Sequence, residues 1–332
     1  MATYDSEITS SNLSTAMQEP EVYKPILQAT VNSSAAMQLA TQLPPMSRNT
    51  RNMTVMNALP LVYWQNTGTS LKQTTNATWK NKTLTAEELA VIVPIAEDLL
   101  YDTEGTGYDL WSELTPRVGE AIGKLVDQAV FHGTNLPATW LTNTSGTSQS
   151  LLTAATAASH TVASGTGTDV YDDIFGTDGV LSLIEADGFD ASGMVGAIAA
   201  KGTLRQVRAD RTATGAGLPI FEQNADGTMN VGGYRALFPK NGCIDSTSAL
   251  LFAGDFSHLV YAIRQDITVK LLTEGVIQDG DGAIQFNLAQ QDMVALRFVF
   301  RLGFQISNYV TQLNGTEATR YPFAVLTPAT GT

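Results

Sequence analysis

Apolar and polar positions change period several times along the 332 residues, and each change predicts a different element. Near the C-terminus Val294, Leu296, Phe298, Phe300, Leu302, Phe304 and Ile306 alternate with Arg297, Val299, Arg301, Gly303, Gln305 and Ser307. Period two predicts a strand, and this one outruns the usual length of about five or six residues. Tyr321 to Leu326 predicts a short last strand closing the same sheet. Helical spacing is clearest over residues 108–133, where Trp111, Leu114, Val118, Ala121, Leu125 and Ala129 sit three and four apart. Ile122, Val126 and Val130 widen that stripe. Asp109 and Glu113 near its start suit the helix dipole, and Gly133 stops it. At 1.5 Å per residue the helix would be roughly 35 Å long. Pro116 either kinks it or marks the first turn of its main part.

Helical spacing returns over Val170–Asp187, with Val170, Ile174, Leu181 and Ile184 on one side. Residues 134–168, rich in Thr, Ser, Gly and Ala, predict a surface excursion, and 189–290 a mixture of short strands and turns. Asn224-Ala225-Asp226-Gly227 before Met229 reads as a hairpin turn. Pro20, Pro25, Pro44 and Pro45 interrupt any long helix at the other end, so residues 1–58 predict an extended arm. Its small apolar groups, such as Ile26-Leu27 and Met37–Leu39, cannot order it alone, so it should lie on another surface. Residues 59–94 predict two long strands joined by a polar tip, with Trp64 opposite Trp79 if the turn centres on Leu71-Lys72. A hairpin that thin needs a partner surface.

Composition sharpens this picture. Charged residues are 15% of the chain, against about 25% in an average soluble protein. Thr, Ser, Asn, Gln and Gly supply the polar surface, which suits a β-rich chain that buries much of itself against partners. The net charge of −13 tells against gripping phosphate, which needs clustered Lys and Arg. An acidic wall around nucleic acid suits only a container. Cys243, the single cysteine, excludes an intramolecular disulfide and a Cys-based zinc site, and reads as a small buried hydrophobe. Neither a signal peptide nor an apolar run of about 20 residues occurs, so folding in a cytoplasm without a membrane is expected.

Charge is also segregated. Val22 to Ala86 holds Lys24, Arg48, Arg51, Lys72, Lys80 and Lys82 and no Asp or Glu. Glu87 to Pro116 holds Glu87, Glu88, Glu97, Asp98, Asp102, Glu104, Asp109 and Glu113 and no Lys or Arg. This predicts either two differently solvated faces or a basic arm resting on the acidic region of a neighbouring copy.

Catalytic chemistry is thin. His132, His160 and His258 are scattered and read as surface or packing residues. Gly119–Lys124 imitates a phosphate loop but lacks a spacer residue, continues with Leu125 and lies inside the predicted helix. Asp279-Gly280-Asp281-Gly282 reads as a tight turn, since the other ligands of a calcium loop are missing. Glu87-Glu88 and Asp172-Asp173 are adjacent in sequence and read as solvated faces. No Gly-x-Ser-x-Gly elbow is present. The expectation is a structural subunit with no catalytic, cofactor or metal site.

The order of elements then carries a resemblance. Val93-Pro94-Ile95 and Asp98-Leu99-Leu100-Tyr101-Asp102 lead into the long helix, which ends in Ala129-Val130-Phe131-His132-Gly133. Further on come Leu204-Arg205 with Gly217-Leu218-Pro219-Ile220-Phe221, then Ala253–Ser257 with Tyr261–Arg264. Asp292–Arg297 with Arg301–Phe304, and Pro322-Phe323-Ala324, close the series. Over about 59–326 this resembles the HK97-fold major capsid proteins of tailed bacteriophages, with Asp98 where the family usually has Glu.

The resemblance implies an α+β chain in four parts. These are an N-terminal arm (1–58), an extended hairpin or E-loop (59–82), a peripheral domain with the spine helix (83–133 and 283–332) and an axial domain (134–282). It implies self-assembly into hexamers and pentamers of an icosahedral head enclosing double-stranded DNA. A separate scaffolding protein, a portal and, in decorated shells, a decoration protein would be the partners. Inter-subunit contacts would fall on Lys24, Arg48, Arg51, Trp64, Lys72, Trp79, Lys80 and Lys82 of the arm and hairpin. Glu87, Glu88, Glu97, Asp98, Asp102 and Glu104 would meet them. Lys72 and Asn308 are candidates for the lysine–asparagine cross-link that some relatives form, though no motif fixes them. An encapsulin-type compartment with the same fold, and a soluble enzyme of unfamiliar type, are the alternatives.

Overall fold

The structure is a computed structural model that describes residues 34–64, 74–99, 110–143, 145–167, 169–204, 221–223 and 229–329. A five-residue helix α1 (Ala35–Leu39) leads into a short strand β1 (Thr41–Gln42). A ribbon of β2 (Thr50–Ala58) and β3 (Thr78–Thr85) precedes β4 (Glu87–Ala96) and the long helix α2 (Leu110–Asp127). After α2 come α3 (Leu151–Ala157), β5 (Thr161–Ala163), α4 (Val170–Phe175), α5 (Val180–Ala186) and β6 (Gly193–Gly196). Three short strands follow, β7 (Phe221–Gln223), β8 (Met229–Val231) and β9 (Tyr234–Leu237), then β10 (Leu251–Gly254). The long β11 (Leu259–Leu272), the small ribbon β12 (Val276–Gln278) and β13 (Ile284–Asn287), β14 (Met293–Ile306) and β15 (Phe323–Thr327) complete the chain.

Two sheets organise these elements: β1-β11-β14-β4, and β5-β15-β10-β6-β9-β8-β7. In the first, the even side of β14 (Leu296, Phe298, Phe300, Leu302, Phe304) shares one core with Val118, Ile122 and Val126 of α2. The alternation therefore reports a real inside face. Its odd side is covered only in parts. Gly303 is bare because a Cβ there would lie 2.4 Å from the Thr85 carbonyl oxygen. Gln305 donates to the Thr83 carbonyl at 2.9 Å. At the other end Met293 and Ala295 pack under Ile277 and Phe286 of the small ribbon. Helix α2 passes through Pro116 without ending and finishes in a π turn, Gln128–His132. Gly133, at φ 79°, closes that turn with its N–H on the Ala129 carbonyl.

Several expectations change. Strand β15 lies between β5 and β10 in the second sheet, so it does not close the sheet of β14. The helix expected over 170–187 is two helices, because Gly176 turns to extended geometry where a Cβ would meet the Asp172 carbonyl at 2.5 Å. Residues 134–168 are no mere excursion: Trp140, Leu151 and Ala155 are core residues. Strand β11, at 14 residues, outruns the short strands expected over 189–290. Residues 224–228 lie outside the described residues, but β7 and β8 on either side pair antiparallel. Within residues 34–58, β1 pairs with β11 and β2 with β3, so this part of the arm lies on its own chain.

Candidate assembly interface

The β2–β3 ribbon begins at Thr50, ahead of the expected boundary at residue 59. Its register sets Met56 against Trp79 and Ala58 against Thr78, so Trp79 does not face Trp64. The reason is that strand pairing uses the Thr/Asn/Met segment 50–58, whose weak apolar content hid it. Thr54 with Asn81 (3.0 Å) and Thr83 with Asn52 (3.1 Å) bond across one face. Beyond Ala58 the chain runs out through Leu61, Val62 and Trp64, all strongly exposed, and Trp79 is 59% exposed. Four large apolar side chains in water on a two-stranded ribbon form a surface that asks for a partner.

The base of the ribbon is fixed by its own chain. Lys82, opposite Met53, is buried, and its ammonium lies 3.8 Å from Glu317, which also takes Lys80 at 3.5 Å. Burial lowers the Lys82 pKa more than Glu317 raises it. Within the subunit, both the burial of Lys82 and its counter-charge are internal. Arg51 donates to the carbonyls of Pro44 and Pro45 (2.9 and 3.1 Å). Arg48 is exposed. Among the acidic residues, Glu88 takes Arg301 (Nε at 2.8 Å) and Glu87 accepts from Thr139 (2.6 Å). Asp98 accepts from the Leu99 N–H, and Glu97 is half-buried. Lys24, Lys72, Asp102 and Glu104 lie outside the described residues.

Sequence reasoning missed two buried carboxylates that hold the arm and the C-terminal segment. Asp127, at the end of α2, accepts from Ser34 Oγ (2.7 Å), Ala35 N–H (2.9 Å), Ala36 N–H (3.0 Å) and Asn241 Nδ2 (3.4 Å). Burial raises its carboxyl pKa and these donors oppose the rise. Burial, then Asp127's charge, pushes the nearby Cys243 thiol up, so this cysteine is the inert hydrophobe expected. No sequence pattern signals Asp127, because its donors lie 91 to 114 positions away along the chain.

Asp187 is the second. Its carboxylate accepts from Tyr321 N–H and Asn314 Nδ2 (2.7 Å each) and faces His160 Nε2 at 3.2 Å. His160 and His258 are buried and bonded, and His132 Nε2 accepts from the Asp245 N–H. All three are packing residues. Asp173, read as solvated, is instead buried and accepts from the Gly165 and Gly167 N–H groups, because the loop before α4 wraps it.

A recess of about 410 Å³ borders the ribbon base, lined by Lys82, Asn308, Glu317, Arg320 and Tyr321. Both amide atoms of Asn308 are engaged there by Arg320: Nδ2 donates to its carbonyl (2.7 Å) and Oδ1 accepts from Nε (3.1 Å). A cross-linking lysine would have to displace that pairing. The Asp279–Gly282 segment is the tight turn expected, with the Asp279 carboxylate accepting from the N–H groups of Asp281 and Ala283. Among the described residues no group of three or more His, Cys, Asp or Glu could hold a metal ion.

A spine helix on one sheet, a second sheet beside it and a ribbon flanked by exposed apolar side chains together define an α+β capsid subunit of the HK97-like type. The Phage capsid family model matches residues 17–310, and the chain belongs to that family. The major capsid protein of Staphylococcus phage 80alpha is 27% identical over 292 residues, 87% of this chain and 81% of that protein. A solved chain from Microbacterium phage Oxtober96 is 34% identical with TM-score 0.74, covering 97% of this chain and 100% of its own. One from Mycobacterium phage Adephagia is 28% identical, also at 0.74, covering 98% and 100%. The function is that of a major capsid protein of a tailed phage, a structural component of the virion. Among the described residues no helix is long and apolar enough to cross a membrane.

Proposed function

We propose that this chain, without enzymatic activity, assembles in the host cytoplasm into hexamers and pentamers of a head shell that encloses double-stranded DNA. A separate scaffolding protein and a portal would direct closure, and a decoration protein would sit on the finished shell. The division into arm, E-loop, peripheral domain and axial domain is part of the proposal, with the E-loop starting at Thr50 and running to about Thr85. The observation that carries it is the exposed apolar group flanking the ribbon's outer end: Leu61, Val62, Trp64 and Trp79 have no core of their own. Covering one Trp removes about 150–250 Å² from water, worth about 4–6 kcal/mol at 25 cal/mol per Å². Lys24, Arg48, Arg51, Lys72 and Lys80 would add salt-sensitive contacts to the neighbour's Glu97, Asp98, Asp102 and Glu104.

Electron microscopy of the chain expressed alone, and then with scaffold and portal, tests this. Shells or capsomer rings tens of nanometres across are expected, and DNA inside them separates a phage head from a cargo compartment. A chain that stays monomeric with scaffold and portal present refutes the reading.

A further inference from the structure

The odd side of β14 is left open between the two ribbons, and its charges do not balance. Lys270 of β11 lies directly opposite Arg297 of β14, and Arg297 directly opposite Ile92 of β4. Directly opposed residues share a sheet face, so two cations and an exposed isoleucine stand in one row. Lys270 is exposed, Arg297 half-buried and Ile92 40% exposed. Like charges in opposed positions repel, and a sheet keeps such a pair only if something else compensates. Among the described residues neither cation forms an ion pair within 4.0 Å. The Arg297 Nε is sealed from solvent with no hydrogen-bond partner there. Two positions along the same face, Arg301 shows the balanced alternative, bonded to Glu88 on the neighbouring strand.

What completes the row must bring carboxylate beside apolar surface. Nucleic acid offers phosphate but nothing for Ile92 and the exposed Ala90, and the Glu88 carboxylate on the same face would repel it. The chain itself carries the complement. The small ribbon turns Ile277 and Phe286 inward and leaves Val276 and Ile284 exposed (48% and 64%), with Glu274 and Asp281 exposed at its two ends.

We infer that the Lys270–Arg297–Ile92 row is a docking surface for a second copy of this chain, which presents the outer face of its β12–β13 ribbon with Glu274 and Asp281. Because donor and acceptor faces differ, the contact is heterologous, of the kind that propagates around a ring or across a shell. The inference rests on the assembly reading above and adds to it a contact outside the arm and E-loop.

The test is charge reversal in the full chain, assembled with scaffold and scored by microscopy and by the salt concentration at which shells fall apart. Lys270→Glu with Arg297→Glu should cut shell yield about tenfold or more, since like charges meeting in an interface are strongly unfavourable. Glu274→Lys with Asp281→Lys should do the same, and the four changes together should restore yield. Lys270→Glu alone, at an exposed position, should show the loss without lowering Tm, which guards against misfolding of the double variant. Shells that form from the reversed variants with unchanged salt tolerance overturn this contact and leave the assembly reading standing. A fourfold variant no better than either pair overturns it too, as does normal assembly with reduced DNA retention, which would assign the row to nucleic acid. A wild-type chain that forms no shell overturns the assembly reading and this inference with it.

Discussion

Asp127→Ala should release the arm from the spine helix while leaving the rest of the subunit folded. The wild-type carboxylate satisfies three buried donors at 2.7–3.0 Å, from Ser34, Ala35 and Ala36, and thereby starts α1. That helix has five residues, too few to persist on its own. Each buried donor left without an acceptor costs about 1–3 kcal/mol. Two effects reduce the sum: the released segment can reach water, and removing a carboxylate whose burial is unfavourable returns part of the cost. The net is about 2–4 kcal/mol of local stability, and at 1.4 kcal/mol per decade this is about 30- to 700-fold. Hydrogen exchange of the amides in α1 and β1 reads it directly. Those amides should lose protection by that factor, while amides in β10 and β15 keep theirs. Unchanged protection in α1 would refute the idea that Asp127 is the anchor.

Gly303→Ala should destabilise the subunit by about 1–3 kcal/mol in a thermal melt, because its Cβ would press on the Thr85 backbone 2.4 Å away and part the ribbon from β14. Glu317→Gln should lower Tm at neutral pH by leaving the buried Lys82 ammonium without its charge. Burial already lowers that ammonium below 10.5, so the unfolded chain holds the proton more tightly, and wild-type stability rises with pH through the window between the two values. The gap between wild type and Glu317→Gln should narrow as pH climbs into that window; a gap that widens contradicts the assignment. Trp79→Ser removes an exposed ring, so the melting curve of the unassembled subunit should be unchanged while shell yield falls; a lowered Tm with normal yield would reverse the argument.

How much of this was readable depended on whether a segment's partner was close in sequence or far. The spine helix and β14 were legible because each meets a single continuous core, so one periodicity describes the whole element. The ribbon was placed but shifted: Thr50–Ala58 pairs through backbone and Thr/Asn contacts, which leave no apolar alternation to count. Strand β15 was recognised as a strand and given the wrong sheet, because a fully apolar run reads the same in either. The buried carboxylates were illegible for a different reason. Asp127 and Asp187 are neutral to pattern counting, and only the fold reveals donors from residues 91 to 134 positions away. The charge split between 22–86 and 87–116 was real as composition, yet Lys82 found its counter-charge at Glu317, beyond the acidic stretch that the pattern favoured.

The segment between β14 and β15 ties the β2–β3 ribbon to the second sheet, and this connection can be tested as a unit. Val310 donates its N–H to the Met56 carbonyl (3.1 Å), and Glu317 takes Lys80 and Lys82, so one side holds the ribbon. On the other side Asp187 takes Tyr321 N–H and Asn314 Nδ2, and Thr311 Oγ donates to the Asp187 carbonyl (2.6 Å). Arg320, almost wholly buried, pins the middle through Asn308 and the Asn314 carbonyl (3.0 Å). A ribbon held this way cannot change its angle without disturbing the bonds at Asp187. The two ends should therefore be coupled energetically, and the charges of both Glu317 and Asp187 act on the Arg320 guanidinium between them. In a double-mutant cycle of Glu317→Gln and Asp187→Asn, the pair should be less destabilising than the sum by about 0.5–3 kcal/mol, since the first change already loosens what the second would break. Additivity within about 0.5 kcal/mol would mean that the two anchors act alone, and that the ribbon can pivot while the second sheet stays as it is.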